Sequence, residues 1–201
     1  MARPKGTEKT GLKYLNEKEL DHFFKAVDSA KNPMYSLAFR LTLFLGLRVQ
    51  ELCNIQLNDI NSDSFQIAIK AIKNGRARVY DLNGRLWHRL QKWMKERERF
   101  GYNGKNLYLF CSSRYFDEPV SPQSFKGKFK KYSEQAGLNG DFSIHSLRHS
   151  CGIIHAKNGE SPIAIMLWLR HRSVKSTQTY FEQVEFEKQA ERASEIFSQF
   201  L

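Results

Sequence analysis

Cysteine is scarce in this chain. Cys53, Cys111 and Cys151 are odd in number and widely spaced, and they form no C-x-x-C pair. That argues against a disulfide framework and fits reduced thiols in a cytoplasmic protein. Long apolar runs are missing as well: no stretch of about 18 apolar residues occurs. The start, Met1-Ala2-Arg3-Pro4-Lys5-Gly6, lacks the apolar core of a signal peptide, so a soluble, non-exported protein with no membrane partner is expected. No internal repeat or low-complexity linker is present. Negative charge is also short: 21 Asp and Glu face 32 Lys and Arg, for a net charge of +11.

What is present fits one folded domain. A chain of 201 residues, 41% of them hydrophobic, can bury a proper core. The charge is unevenly spread. After Tyr180 there are five Glu against Lys188 and Arg192, so the excess of cations lies earlier. It peaks from Lys70 to Arg99, where ten Lys and Arg face only Asp81, Glu96 and Glu98. Clustered cations favour a polyanion, because each neutralised phosphate releases condensed counterions.

The pattern predicts a mainly α fold with a small antiparallel β-sheet. Residues 1–13 read as a basic, disordered tail, 14–184 as the main domain and 185–201 as an amphipathic C-terminal helix. Asn16 and Glu19 have capping-box spacing and open a helix to about residue 30. A second helix, about 34–45, is apolar on most sides and therefore central. A short helix follows over 49–54. Residues 64–69 alternate as a strand, and 78–82 is its hairpin mate across the tight-turn signal Asn74-Gly75. A basic helix is predicted over 85–100 and a short buried strand over 107–110. Ser121-Pro122 starts a helix to about 136. Helices over 146–158 and 163–169 complete the domain, with Tyr180 at a short helical segment.

Several residues carry chemistry in combination. Arg48 follows an apolar helix and a Gly, at a helix start suited to holding phosphate. Glu51, three residues on, can orient it. Lys73 sits beside the hairpin tip, where an ammonium can reach a ligand bound across the domain. His145 and Arg148 are three apart at a helix start and can point the same way. His145 and His149 also have the i, i+4 spacing of a helical metal site, with His155 nearby, but no third ligand recurs at suitable spacing. His171 lies just past a helix end, and Tyr180 follows nine residues later. Together Arg48, Lys73, His145, Arg148, His171 and Tyr180 supply a nucleophile, a proton donor and charge stabilisers for a phosphodiester.

As a set these residues resemble the catalytic domain of the tyrosine recombinases, the phage integrase, Xer and Cre family. Leu45-Gly46-Leu47-Arg48-Val49-Gln50-Glu51-Leu52 looks like the first box, and Ile72-Lys73-Asn74-Gly75-Arg76-Ala77-Arg78 like the Lys-bearing hairpin. His145-Ser146-Leu147-Arg148-His149 matches the H-x-L-R-H box. Leu169-Arg170-His171-Arg172-Ser173 through Thr177-Gln178-Thr179-Tyr180 matches the L-G-H and nucleophile boxes. The resemblance covers about residues 12 to 190.

The resemblance implies a DNA recombinase. Tyr180 would attack a phosphodiester to give a 3′-phosphotyrosyl link and a free 5′-hydroxyl. Arg48 and Arg148 would clamp the non-bridging oxygens, and His171 would add a hydrogen bond. Lys73 would protonate the departing 5′-oxygen, with His145 assisting as acid/base. The two arginines would also favour the Tyr180 phenolate. Arg76 and Arg78 would contact the DNA backbone, and Arg170 and Arg172 would add DNA contacts. No metal, nucleotide or other cofactor is implied. The implied partners are double-stranded DNA and further copies of the chain in a tetrameric synapse, or a partner recombinase.

Two departures stand out. The usual Gly of the L-G-H box is Arg170, and Gly there commonly takes the left-handed conformation, which costs other residues about 1–2 kcal/mol. Family members usually carry an N-terminal DNA-binding domain that closes a clamp on the duplex. Only about 14 residues precede the first helix here, as in the short recombinases that invert fimbrial promoter switches. These departures motivate the alternative of a recombinase-like DNA-binding accessory or regulatory protein with little or no cleavage. A topoisomerase-like relaxing enzyme would share the chemistry.

Overall fold

The structure, a computed structural model, describes residues 11–72, 76–99, 107–112, 118–198 and 200. Local signals set most of its helix starts. Asn16 Oδ1 accepts from Glu19 N (3.0 Å) while Glu19 Oε2 accepts from Asn16 N (2.8 Å), a reciprocal cap on α1 (Glu17–Ser29). Asn32 caps and Pro33 begins α2 (Pro33–Leu45). It ends at Gly46, whose φ is +57°. A Cβ at Gly46 would also lie 2.2 Å from Leu169 Cδ2, so both backbone and space require glycine there.

Arg48 then stands as the residue before α3 (Val49–Cys53). Strands β1 (Ile60–Asn61), β2 (Gln66–Ile69) and β3 (Arg78–Asp81) form one antiparallel sheet in the order β1-β2-β3. Its register pairs Ile67 with both Ile60 and Tyr80. Helices α4 (Gly84–Arg99), α5 (Pro122–Gln135), α6 (Ile144–Lys157), α7 (Pro162–Trp168) and α8 (Lys175–Ser198) complete the chain. Ser121 and Ser161 accept from the backbone at the starts of α5 and α7, each followed by proline.

Two apolar clusters organise these elements. The larger surrounds α2, whose Leu37, Phe39, Leu41 and Leu45 are fully buried against Phe23 and Val27 of α1, Leu90 and Trp93 of α4, and Phe125 and Phe129 of α5. The smaller joins α6, α7 and α8 through Cys151, Ile153, Ala156, Ile165, Leu169, Tyr180 and Val184. Helix α6 belongs to both, because Ile144 and Leu147 near its start enter the larger cluster.

The mainly helical fold with a small antiparallel sheet agrees with the sequence reading, and three details differ. The stretch 107–110 is not a strand. Tyr108 makes one isolated bridge to Gln56, and Leu109 and Phe110 are buried. A further strand, β1, is present but only two residues long. Tyr180 lies in the second turn of a helix that continues unbroken to Ser198, so no break falls between 184 and 185. Of the tail 1–13, residues 1–10 lie outside the described residues. Lys13 pairs with Asp141 at 2.6 Å, and Leu12 packs against the smaller cluster. All three cysteines are buried.

Candidate active site

Four chain segments meet at one place: the start of α3, the start of α6, the turn after α7 and the first turns of α8. Glu51 is their electrostatic hub. Its Oε1 accepts from Arg48 Nη1 at 2.9 Å, and its Oε2 from Arg48 N at 2.8 Å and Arg170 Nη2 at 2.7 Å. Arg148 Nη1 lies 3.8 Å from Oε2. Burial alone would raise the Glu51 pKa. The hydrogen bond and charge of Arg170, with the Arg48 amide and the Arg148 charge, bring it below its ordinary value. Glu51 is therefore ionised at neutral pH and orients Arg48, as its spacing suggested. One carboxylate faces three guanidinium groups, so the site keeps unbalanced positive charge.

The two clamp arginines differ in exposure. The Arg48 side chain is 38% exposed, whereas that of Arg148 is buried at 3%. Arg148 donates to the Gly46 carbonyl and, at 2.5 Å, to the Leu169 carbonyl. Burial, then the Arg48 charge, lowers its pKa to about 10, so it stays cationic at neutral pH.

Tyr180 is 2% exposed. Its ring lies against Gly152 of α6, where a Cβ would come within 2.5 Å of the ring. Glycine at 152 makes this seat possible. The His171 ring stacks on Tyr180 at 6.2 Å and 20°, and its Nδ1 lies 2.9 Å from Thr177 Oγ1. Burial, then the charges of Arg148 and Arg48, lowers the His171 pKa to about 3, so its imidazole is neutral. With Nδ1 occupied by Thr177, Nε2 remains to meet a ligand oxygen. His145 is exposed at the mouth of the site, its pKa lowered by burial and by Arg148 and Arg48.

Two expectations need correction. The arginines were expected to favour the phenolate of Tyr180. They do pull in that direction, but burial dominates and raises the Tyr180 pKa to about 12. Tyr180 is thus a neutral phenol at rest. Arg170 was expected to contact DNA, yet it is 1% exposed. It does take the left-handed conformation, φ +56°, and its guanidinium points inward. There it donates to Glu51, to the carbonyls of Leu45, Gly46 and Trp168, and to the Tyr80 hydroxyl. The backbone cost of about 1–2 kcal/mol is offset by a buried ion pair and a full hydrogen-bond shell.

The other predicted residues fall as follows. Lys73 lies outside the described residues. Arg76 and Arg172 are exposed. Arg78 is half-buried, its guanidinium over the rings of Tyr80 (5.5 Å) and Trp168 (5.7 Å). His155 does not join His145 and His149, since its Nδ1 lies 2.7 Å from Glu160 Oε1. The structure adds three residues that sequence reasoning did not place in the site. Thr177 orients His171, and Tyr80 fastens the β2–β3 hairpin to Arg170 and to the Trp168 carbonyl. His149, noted in the sequence for its metal-site spacing with His145, is half-buried with Nδ1 3.3 Å from Tyr180 Oη.

Residues 13–186 match the model of the phage integrase family. The chain belongs to that family. Among curated relatives, the tyrosine recombinase XerA of Pyrococcus horikoshii is 30% identical over 80% of this chain and 54% of its own length. The type 1 fimbriae regulatory protein FimB of Escherichia coli K12 is 26% identical over 83% of this chain and 82% of its own length. This integrase-family chain thus spans about half of XerA and about four-fifths of FimB. Its fold is that of a tyrosine recombinase catalytic domain. The crystal structure of XerA recombinase superposes with a TM-score of 0.75 at 22% identity, over 100% of this chain and 66% of that one. XerH site-specific recombinase bound to a palindromic difH substrate gives 0.76 at 23%, over 91% and 53%.

Proposed function

We propose that this phage integrase family member is a site-specific DNA recombinase with Tyr180 as its nucleophile. The observation that carries this reading is that one buried tyrosine lies in the field of Arg48 and Arg148 and against the ring of His171, with His145 in the same arginine field. A site with three arginines and one carboxylate recruits a phosphodiester, and its phenol is placed to attack the phosphorus. A bond forms from Tyr180 Oη to phosphorus while the bond to the 5′-oxygen breaks. Arg48 and Arg148 stabilise the charge that grows on the non-bridging oxygens, and the free Nε2 of His171 adds a donor. Lys73, carried on the β2–β3 hairpin, gives the leaving 5′-oxygen its proton, with His145 as the nearby acid/base. No cofactor enters these steps, because the phosphotyrosyl link conserves the bond energy for rejoining to another strand.

Double-stranded DNA is the proposed partner. Exposed Arg76 and Arg172, with the cations of α4, supply the backbone grip, so binding weakens steeply with salt. The far end of α8 exposes Ile196 (59%), Phe197 (59%) and Phe200 (74%). We assign this end to docking on a neighbouring copy in a tetrameric synapse or on a partner recombinase. The accessory-protein reading drew on Arg170. With Arg170 in the left-handed conformation and His171 stacked on Tyr180, that motive weakens.

The test is covalent trapping on a nicked suicide duplex carrying the site to which this chain binds in its own cell. Wild type forms a protein–DNA adduct and Tyr180→Phe forms none, with DNA binding retained. Salt-dependent binding without an adduct from the wild type would establish the accessory reading instead.

A further inference from the structure

Tyr180 is a neutral phenol in an environment that disfavours its anion, so the nucleophile needs a group to take its proton. We propose that His149 is that group: as Tyr180 Oη bonds to phosphorus, its proton passes to His149 Nδ1. This rests on the recombinase reading above and adds a catalytic residue to it. Protons balance across the step. One enters His149, one leaves Lys73 or His145 for the 5′-oxygen, and the reverse attack by a 5′-hydroxyl returns both.

The geometry singles out His149 among the three histidines of the site. Its Nδ1 is 3.3 Å from Tyr180 Oη, and the two rings are 6.1 Å apart. Gly152 lies one turn further along α6 and lets the Tyr180 ring approach that helix closely. The phenol therefore lies along α6 with its hydroxyl directed back one turn, to position 149. His171 has Nδ1 engaged by Thr177 and stacks on the phenol face instead of meeting its oxygen. His145 stands a further turn back, with its ring 5.7 Å from that of His149.

The charge state suits an acceptor. The groups facing His149 are His145 and Arg148 on α6, Tyr180 on α8 and His171 after α7. Burial, then His145 and Arg148, lowers the His149 pKa to about 4, so the imidazole is neutral at pH 7. In the tautomer protonated on Nε2, Nδ1 accepts from the tyrosine hydroxyl. A bound phosphodiester brings the negative charge that the empty site lacks. It raises the basicity of His149 when the proton must move.

Single-turnover cleavage of two suicide duplexes tests this, one with a normal 5′-oxygen and one with a 5′-phosphorothiolate, whose sulfur leaves without a proton. The proteins are wild type, His149→Ala and His149→Asn. The asparagine oxygen stands where Nδ1 stood and keeps the hydrogen bond but takes no proton. Both variants are expected to fall about 10²–10⁴-fold at pH 7 on both substrates. Their rates should rise about tenfold per pH unit as solvent supplies the phenolate, while wild type stays flat from pH 6 to 8. DNA binding and melting temperature check that the variants fold. His149→Asn with the wild-type rate would overturn the proposal by reducing His149 to a positioning residue. So would a deficit that the sulfur leaving group restores, or one independent of pH. Absence of any adduct from wild type would instead overturn the recombinase reading itself.

Discussion

The two arginines proposed as a phosphate clamp and the tyrosine proposed as nucleophile stand on different parts of the fold. Arg48 and Arg148 adjoin the larger core, at the start of α3 and in the first turns of α6, where Leu47, Leu52 and Leu147 are completely buried. Glu51 and the carbonyls of Gly46 and Leu169 hold their guanidinium groups. Tyr180 belongs to the smaller cluster with Cys151, Ile165 and Val184. Its hydroxyl lies 3.3 Å from His149 Nδ1. The arginines are thus fixed by a large core and a dense polar network, whereas Tyr180 rests on a smaller apolar cluster. Elements with few buried contacts open at lower free energy than the core. On the proposed function, the arginines would hold a phosphate before Tyr180 is committed.

The heaviest blow to that contrast falls on the arginine side. Glu51→Gln removes the counter-charge of Arg170 and Arg148 while keeping the side-chain shape. We expect a loss of about 3–5 kcal/mol in urea unfolding, because uncompensated charge is left buried, and partial recovery in sulfate. Glu51 has a lowered pKa, so its contribution in wild type is present above about pH 4.3 and disappears as pH falls through the folded value. The difference between wild type and Glu51→Gln should close at low pH.

A smaller and local effect is expected from Gly152→Ala. The new Cβ would press on the Tyr180 ring, at a cost of about 1–3 kcal/mol for overpacking. Amide hydrogen exchange should rise across 177–184 while 37–45 in α2 keeps its protection. Equal loss in α2 would show that the two clusters do not open separately. The least effect on the monomer belongs to the end of α8. Ile196→Ser with Phe197→Ser should change unfolding free energy by no more than about 0.5 kcal/mol, since both are exposed, yet abolish cooperative binding to paired sites. Unchanged cooperativity would remove the docking role.

What the sequence made legible was local. The Asn16 cap and the Ser-Pro helix starts depend on residues a few positions apart, and they formed as read; the pairing of β2 with β3 formed too, while its Asn74-Gly75 turn lies outside the described residues. The order of the Arg48, Arg148, His171 and Tyr180 boxes was legible because the chemistry requires those side chains together. What escaped depended on distant partners. Arg170 looks like a surface cation until Glu51, 119 residues away, and the Tyr80 hydroxyl of the hairpin surround it. Burial reverses the expected shift of Tyr180, and no local pattern reports burial of a polar tip. Residues 107–110 have strand composition, but their backbone meets residues 55–57 through one isolated bridge and otherwise Val120 N and the side chains of Trp93 and Arg97, too little for a ladder. The continuity of α8 was hidden by its polar, acidic second half.

The excess of guanidinium over carboxylate around Glu51 also bears on when this protein is most stable. Folding concentrates positive charge that the open chain can spread apart, so these arginines subtract from the stability of the native state. The proposed phosphodiester ligand would bind the native state and not the unfolded one, and folding and binding would then be linked. At a ligand concentration of a hundred times Kd that linkage is worth about 2.7 kcal/mol, a large share of the stability of a small domain. On this account, DNA would be part of what makes the fold secure as well as the proposed substrate.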